Sequence, residues 1–352
     1  MLEKLKYSFK NDYSEGAHPS IIKALVDSNL EQTEGYGCDY YCEEAKNLIK
    51  KELNNEDSEI HFLVGGTQTN LIMISSALRP FESVISTNTG HINVHETGAI
   101  EATGHKVCSA PFRKDGKLRI EDIEAILDEH VDEHMVMPRM VYISQSTEVG
   151  TIYTKKELKD IYDYCKSKNL ILFVDGARLG SALASDKCGM TLEDLAHLSD
   201  AFYIGATKNG ALLGEALVIN NKELSKDFRF HIKQRGALLA KGRILGIQFK
   251  ELFTDNLFIE LGKSANDRAR ELSEGLKELG IEFLTESPTN QIFPIISNEV
   301  LRELEKSYSY TFWSKVDENR SCIRLCTSWA TREDKVAEFL SDFKKILDIY
   351  SK

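Results

Sequence analysis

The stretch LILFVDGA, residues 170–177, decides the fold, because it is a short apolar run that ends in an acidic residue, Asp175. Similar runs recur between about residues 60 and 220 and alternate with amphipathic stretches. These runs are EIHFLVGG, SVISTNT, MVYISQS, AFYIGATKN and ALVINN. The alternation predicts an α/β fold with a mostly parallel sheet, in which ligands bind at the carboxyl ends of the strands.

The pattern changes near residue 255. A long amphipathic segment, LGKSANDRARELSEGLKELG, is followed by short strands around QIFPII and CIRLCTS and by a closing helix, REDKVAEFLSDFKKILDIY. We therefore predict two parts that pack tightly against each other. Residues 1–255 form an N-terminal segment and a large domain, and residues 256–352 form a smaller α+β domain.

The composition is that of an ordinary globular protein, with 42% apolar and 28% charged residues in a chain of 352. Its formal net charge of -11 argues against binding to nucleic acid, which needs a basic surface, so small molecules are the expected partners. The first residues lack the apolar core of a signal peptide, and no apolar run of about 18 residues follows. We therefore expect no membrane association and a cytoplasmic location.

The spacing of the cysteines and histidines suggests an alternative hypothesis, that the protein binds a metal ion. The seven cysteines are scattered and form no Cys-x-x-Cys pair, so free thiols are expected. His91 and His95, with Glu96, resemble part of a zinc site, and His130 and His134 repeat the spacing. A zinc enzyme would need a third ligand and would leave the motifs described next unexplained, so we expect no metal.

The stretch GGTQTN, residues 65–70, lies between an apolar run and the helical run TNLIMISSAL. Backbone N–H groups of Gly65, Gly66 and Thr67 at such a helix start can bind an anion, and Thr67 adds a hydroxyl. By itself the motif is a weak signal, because Gly-Gly-Thr is equally compatible with a tight turn.

The stretch FVDGAR, residues 173–178, places a carboxylate at the end of a buried strand. Such a carboxylate needs a partner, and either a protonated pyridine nitrogen or nearby backbone amides would serve. Arg178 could bind a carboxylate through two parallel N–H bonds, and an exposed salt bridge is the alternative.

The stretch YIGATKNG, residues 203–210, presents Lys208 at a strand end among small residues. Burial and positive neighbours would lower the pKa of this amine and favour a Schiff base. A phosphate cradle, a buried aspartate and a lysine, in this order, are what pyridoxal phosphate requires, so we predict this cofactor. His91 is expected to stack on its ring.

One basic stretch, FRFHIKQRGALLAKGR, stands out in the acidic chain. Its basic residues are Arg229, Lys233, Arg235, Lys241 and Arg243. The stretch could receive a phosphate or a carboxylate, and a solvated helix face or a subunit contact fits equally well.

With these motifs the chain resembles the L-threonine aldolases of the low-specificity type, within the fold-type I pyridoxal phosphate enzymes that include the β-eliminating lyases. The resemblance runs nearly end to end. It is carried by FKNDYSEGAHP, YGCD, GGTQTN, GHINVHETGAI, VDGAR, the TK of GATKNG and IRLCTSWATRED. It implies an aminotransferase-like large domain and a homotetramer, a dimer of dimers with shared active sites.

The resemblance also implies residue roles. The implied catalytic residues are Lys208, which forms the Schiff base, His91 on the ring and Asp175 at the ring nitrogen. The implied cofactor-binding residues are Gly65, Gly66, Thr67, His91, Asp175, Arg178, Thr207 and Lys208. The implied substrate-binding residues are Asn11, Tyr36, Arg178 and Arg324, of which Tyr36 comes from a neighbouring subunit.

Two positions depart from the family pattern. Asn11-Asp12 stands where the family commonly has Ser-Asp, and an amide can still donate to a carboxylate. In SQSTEVGT, Thr147, followed by Glu148, replaces a histidine associated with the substrate hydroxyl. The candidates for the catalytic base are His91, Glu96, Glu148 and a held water.

The expected reaction is cleavage of L-threonine or L-allo-threonine to glycine and acetaldehyde through the Lys208 Schiff base. The alternative is a β-eliminating lyase or an aminotransferase that acts on another amino acid with the same lysine. A third hypothesis is a cofactor-carrying regulator without catalytic activity. Product analysis separates the first two, because a lyase forms ammonia and a keto acid.

Overall fold

The computed structural model of the chain describes residues 6–350. The strands are β1 (Tyr7–Ser8), β2 (Glu59–Leu63), β3 (Glu82–Thr87), β4 (Val107–Ala110), β5 (Met137–Ser144), β6 (Ile171–Asp175), β7 (Ala201–Gly205), β8 (Glu215–Ile219), β9 (Glu282–Phe283), β10 (Gln291–Ile292), β11 (Pro294–Ser297), β12 (Tyr308–Ser309), β13 (Thr311–Lys315) and β14 (Arg320–Cys326). The helices are α1 (Pro19–Asp27), α2 (Tyr40–Leu53), α3 (Gly66–Ala77), α4 (His91–Val94), α5 (Ile120–Glu129), α6 (Lys155–Ser167), α7 (Leu179–Leu183), α8 (Leu192–His197), α9 (Lys222–Ser225), α10 (Phe228–Gln234), α11 (Arg243–Leu252), α12 (Leu257–Glu278), α13 (Asn298–Leu304) and α14 (Glu333–Tyr350).

A seven-stranded sheet forms the centre of the molecule, with the strand order β2-β8-β7-β6-β5-β3-β4. Only β8 runs antiparallel to its neighbours, β7 and β2, and the other pairs in the sheet are parallel. The prediction of a mostly parallel sheet is confirmed, and six of its strands coincide with the apolar runs of the sequence. Strand β4 was not predicted, because its four residues, VCSA, are too few to show a strand pattern.

Alternate residues of the central strands face two different cores, as the period of two in a strand requires. In β6, Leu172 and Val174 belong to one core, whereas Ile171 and Phe173 belong to the other, which also contains α3. The next residue in the second series is Asp175. Its position on the face covered by α3 therefore follows directly from the register of the strand.

A second, antiparallel sheet lies toward the end of the chain, with the order β10-β14-β11-β9 and with β13 paired to β14. Helices α12 and α14 contribute Leu272, Leu276 and Phe339 to its core. The long and closing amphipathic segments predicted from the sequence are these two helices. The prediction of short strands around QIFPII and CIRLCTS is also confirmed.

The N-terminal segment packs with this second sheet rather than with the central one. Strand β1 pairs in parallel with β12, and Phe9 is fully buried in the same core. Helix α12 begins in the large core, through Phe258 and Leu261, and continues into the small one. The division into 1–255 and 256–352 stays a prediction, and its outermost residues, 1–5 and 351–352, lie outside the described residues.

Three further findings concern residues 6–350. All seven cysteines in this range are free thiols. No group of three or more histidine, cysteine, aspartate or glutamate side chains in it is arranged to hold a metal ion. Within the same range, none of the helices combines the length and apolar character needed to cross a bilayer.

Candidate active site

The parallel strands of the central sheet end at one edge, and most of the predicted site residues lie at that edge. Because β2, β3, β5, β6 and β7 are parallel, their carboxyl ends are adjacent. Asp175 is the last residue of β6, and the segments that follow the other strands carry Gly65, Gly66, Thr67, His91, Glu148 and Lys208.

Asp175 is the most completely hydrogen-bonded of these groups and is only 3% exposed. Its Oδ1 accepts hydrogen bonds from Tyr203 Oη at 2.5 Å and from Ala177 N at 3.0 Å. Its Oδ2 accepts from the Tyr142 hydroxyl and from Asn70 Nδ2 at 3.2 Å. Burial acts to raise the pKa of Asp175, but the nearby His91 imidazole and the tyrosine hydroxyls outweigh it and lower the pKa. Asp175 is therefore a buried carboxylate that stays ionised.

His91 opens helix α4 and is held by a buried carboxylate. Its Nδ1 lies 2.7 Å from Glu96 Oε1, which also accepts from Asn70 Nδ2 at 2.8 Å. The side chain of Glu96 is completely buried, and that of His91 is 35% exposed. This chain of contacts joins His91 to Asp175 through Asn70 and fixes the orientation of the imidazole.

Lys208 follows β7 by three residues and is largely buried. Burial and the neighbouring Arg178 lower its pKa, whereas Asp12 and Glu215 oppose this effect. No hydrogen bond or ion pair engages the amine within the part of the chain that the structure describes. An uncommitted amine with a lowered pKa is suited to covalent bond formation with an aldehyde.

Thr207 precedes Lys208 in the chain and binds the carboxyl group of Glu215, which was not predicted as a site residue from the sequence. Its hydroxyl donates to Glu215 Oε1 at 3.0 Å and accepts from Gly214 N at 3.0 Å. Glu215 begins β8 and is 4% exposed, and its Oε2 is buried without a partner among the described residues. Burial raises the pKa of Glu215, and Lys208 opposes the rise. The role of Thr207 as a cofactor-binding residue stays a prediction.

The start of α3 has the features of an anion site. Gly65 provides no side-chain cap, and the first amide of α3 for which the described residues provide an acceptor is that of Thr69, bound to Gly65 O at 3.0 Å. The amides of Gly66 and Thr67 are thus left for a ligand. A Cβ atom at Gly66 would lie 2.9 Å from Tyr203 Oη, so only glycine allows this close approach.

Arg178 makes the two parallel hydrogen bonds predicted for it, but the carboxylate is Asp12 of its own chain. Its Nε donates to Asp12 Oδ2 at 2.7 Å and its Nη2 donates to Asp12 Oδ1 at 3.1 Å. Asn290 Nδ2 donates to the same carboxylate at 2.9 Å. This pair leaves Nη1 for a ligand, and binding of a substrate carboxylate by Arg178 stays a prediction.

Arg324 is largely buried and only loosely bound. Its Nη1 donates to Gln291 Oε1 at 3.1 Å, and its Nη2 donates to Lys10 O at 3.3 Å and to Thr311 Oγ1 at 3.4 Å. Its Nε is buried and has no partner in the described range. Burial and the positive charge of Arg178 lower the pKa of Arg324. Two neighbouring guanidinium groups, one of them incompletely bound, fit an incoming carboxylate.

The remaining two predicted residues differ in their surroundings. Asn11 Oδ1 accepts from Tyr13 N at 3.0 Å and from Ser14 Oγ at 2.8 Å, which leaves the side-chain amide for a ligand. Tyr36 instead contacts the predicted basic stretch, because Lys233 Nζ is 4.5 Å from its ring and Arg229 donates to its carbonyl at 3.1 Å. Its contribution to a neighbouring subunit stays a prediction.

Several residues of the site were missed from the sequence. They are Asp12, Asn70, Tyr142, Tyr203 and Glu215. The sequence did contain a signal for three of them. Tyr142 and Tyr203 lie inside apolar strands, and Glu215 precedes the apolar run ALVIN, so each places a polar group where water is excluded. Their partners are distant in the sequence, so the pairing itself could not be read from it.

Comparison with known proteins agrees with this geometry. A family model described as Beta-eliminating lyase matches residues 16–299. The chain belongs to the beta-eliminating lyase family. A low specificity L-threonine aldolase of Pseudomonas sp. is 31% identical over 344 residues, which are 96% of this chain and 97% of that protein. The resemblance predicted from the motifs is thereby confirmed.

Solved structures of beta-eliminating lyases and aminotransferases show the same fold. A Leishmania major threonine aldolase is 52% identical and has a TM-score of 0.95, with 97% of this chain and 99% of that chain covered. A Thermus thermophilus aspartate aminotransferase is 15% identical, with a TM-score of 0.72 and coverage of 97% and 91%. The predicted aminotransferase-like fold of type I is therefore confirmed.

The cofactor of this beta-eliminating lyase is pyridoxal phosphate. The residues present fit it. Helix α3 begins with backbone amides that have no acceptor within residues 6–350, and the close approach of Tyr203 to Gly66 requires a glycine there. Asp175 is buried and stays ionised, and the amine of Lys208 has no hydrogen-bond partner among the described residues. When bound, the cofactor supplies a conjugated ring that accepts the electron pair of a bond broken at the α-carbon of an amino acid.

Proposed function

We propose that the protein cleaves L-threonine and L-allo-threonine to glycine and acetaldehyde. One structural observation carries the proposal. The uncommitted amine of Lys208 lies beside Arg178, which in turn neighbours the incompletely bound Arg324, so an amino acid has an anchor for its carboxylate close to the reactive nitrogen. The relatives named threonine aldolases, at 31% and 52% identity, support this choice of reaction.

Each residue of the site has a proposed task. Lys208 would bind the cofactor covalently, Asp175 would keep a proton on its ring nitrogen, and His91 would lie against its ring. The amides of Gly65, Gly66 and Thr67 would bind its phosphate, with Thr207 nearby. The charge of Asp175 supports its task, but its four lone-pair sites are filled by four donors. A protonated ring nitrogen would therefore replace one of them, and the longest of these bonds is that from Asn70 Nδ2, at 3.2 Å.

The substrate is held mainly through its carboxylate. Arg324 Nε and Arg178 Nη1 are the proposed donors, with the Asn11 amide beside them. Fixing the carboxylate fixes the rotation about the bonds of the α-carbon, which decides which of them breaks. The two hydrogen bonds to Asp12 fix the orientation of the Arg178 guanidinium.

Assembly, location and domain division complete the proposal. The proposed assembly is a cytoplasmic homotetramer, a dimer of dimers in which Tyr36 reaches the site of a neighbouring subunit. Tyr36 is 44% exposed, which is consistent with such a contact. We also propose that residues 1–255 and 256–352 act as large and small parts around the site. Arg324 in β14 and Lys208 after β7 come from the two sheets.

Product analysis tests the proposed function. The purified protein is supplied with pyridoxal phosphate and incubated with L-threonine or L-allo-threonine, and acetaldehyde, glycine, ammonia and keto acid are measured. We expect acetaldehyde and glycine in equal amounts. Release of ammonia and a keto acid instead would establish a β-eliminating lyase, and transfer of the amino group to an added keto acid would establish an aminotransferase.

A further inference from the structure

Glu148 lies four residues beyond β5 and is held at the site by two hydrogen bonds. Ser144 Oγ donates to its Oε1 at 2.7 Å, and the backbone N–H of His91 donates to the same oxygen at 3.0 Å. Both bonds end on Oε1. The second oxygen, Oε2, is left for a ligand, since no hydrogen bond to it joins Glu148 to another described residue.

The other side chains that could take a proton from a substrate hydroxyl are less available. Glu96 is completely buried, and its Oε1 is shared by His91 and Asn70. His91 has its Nδ1 committed to Glu96, so only Nε2 of the imidazole remains. Glu148 is therefore the carboxylate that is both fixed in position and open to a ligand.

The surroundings of Glu148 favour proton exchange. Burial raises its pKa above the ordinary value, and the charge of Asp175 adds to the rise. Ser144 and His91 act in the opposite direction, and the hydroxyls of Tyr142 and Tyr153 are the other titratable groups nearby. A carboxylate whose pKa is raised is a stronger base than an ordinary glutamate.

We propose that Glu148 is the base that accepts the proton of the substrate β-hydroxyl. The inference rests on the proposed function. The O–H proton moves to the Glu148 carboxylate, the oxygen forms the C=O bond of acetaldehyde, and the Cα–Cβ bond breaks. The electron pair stays with the glycine fragment, which takes up one proton at Cα, while Glu148 returns its proton to solvent. One proton is removed and one is added, so the reaction is balanced.

The test compares Glu148→Gln with the wild type, both loaded with pyridoxal phosphate. Glutamine keeps an oxygen to accept from Ser144 and His91 but cannot act as a base. We expect threonine cleavage to fall by roughly 100-fold or more. The visible absorbance of the bound cofactor and the affinity for glycine should change less than about threefold, because neither needs a hydroxyl base. Exchange of the glycine α-proton in deuterium oxide should persist for the same reason.

Two further variants control for structural damage. Glu148→Asp keeps a carboxylate and should restore part of the cleavage lost in Glu148→Gln. Glu82→Gln removes a buried carboxyl at the opposite end of the sheet, where Glu82 accepts from Arg79 at 2.7 Å, and should leave the ratio of cleavage to glycine exchange unchanged.

The outcomes are distinct. Cleavage by Glu148→Gln within tenfold of the wild type would overturn the inference while leaving the proposed function intact. Equal loss of cleavage and glycine exchange would also overturn it, since it would show a structural role. A wild type that releases no acetaldehyde would refute the proposed function, and the role of Glu148 would fall with it.

Discussion

The hydroxyl of Thr207 donates a 3.0 Å hydrogen bond to Oε1 of Glu215, and this contact ties a buried carboxyl to the residue next to Lys208. Burial raises the pKa of the carboxyl and lowers that of the amine, so each group alone favours its neutral form. Their mutual attraction acts in the opposite direction, because it stabilises both charges. The charge on the lysine nitrogen therefore depends on Glu215.

Replacing Glu215 by glutamine should lower the pH at which the visible absorbance of the bound cofactor changes form. Burial raises the pKa of Glu215 to about 8, so above that pH it carries a negative charge that favours a protonated Lys208 nitrogen. The glutamine keeps the hydrogen bond from Thr207 but removes this charge. We expect a downward shift on the order of one pH unit. A spectrophotometric pH titration measures it, with Glu82→Gln as the matched control. A midpoint that stays in place or moves upward would show that Glu215 does not influence the lysine.

Replacing Lys208 by alanine should abolish both the visible absorbance of the covalently bound cofactor and the release of acetaldehyde. The amine is the nucleophile on which both depend. Lys117→Ala serves as the control, because Lys117 is bound to Glu157 at 2.8 Å and its side chain is only 14% exposed. A coloured and active Lys208→Ala protein would refute the assignment.

Replacing Arg324 by alanine should weaken amino acid binding roughly tenfold to hundredfold, since a hydrogen bond to a charged group contributes about 1.5–3 kcal/mol. A spectral titration with glycine measures the dissociation constant. Arg320→Ala in the same strand is the control, because Arg320 is 46% exposed and binds Asp317. Normal glycine affinity in Arg324→Ala would contradict the proposed carboxylate contact.

The Asp12–Arg178 pair should make the free energy of unfolding depend on pH in the acidic range. Burial acts to raise the pKa of Asp12, but Arg178 and other donors outweigh it and lower the pKa to about 2, below the ordinary 3.8. Because the pKa of Asp12 is lower in the folded state than in the unfolded state, the pair contributes to the free energy of unfolding above about pH 4. This contribution is lost as the pH falls toward 2.

Asp12→Asn should therefore cost roughly 3–5 kcal/mol of unfolding free energy at pH 7, because Arg178 is left buried without its anion. The difference from wild type should shrink as the pH falls from 4 to 2 in urea denaturation. Asp160→Asn, which breaks the exposed pair with Lys156, should leave the unfolding midpoint nearly unchanged. A constant difference across this pH range would rule out the ionised pair as its origin.

Local patterns were sufficient to predict much of this molecule. The apolar runs became the strands of the central sheet because a strand buried on both faces must be apolar along its length. Asp175, at the end of β6, and Lys208, three residues beyond β7, interrupt that pattern. Burying such polar groups costs free energy unless they are hydrogen-bonded or paired with an opposite charge. Strand β4 and the packing of β1 with β12 escaped prediction, because four-residue and two-residue strands carry too little pattern.

The sequence by itself determined the α/β fold and the residue types available to pyridoxal phosphate, because periodicity and polar interruptions are local properties of the chain. Only the tertiary structure decided which charged groups pair. Arg178 meets Asp12 across 166 residues, and the amide of His91 meets Glu148 across 57. Such pairings depend on which loops leave the same edge of the sheet, and Coulomb attraction acts on distance in space rather than on separation along the chain.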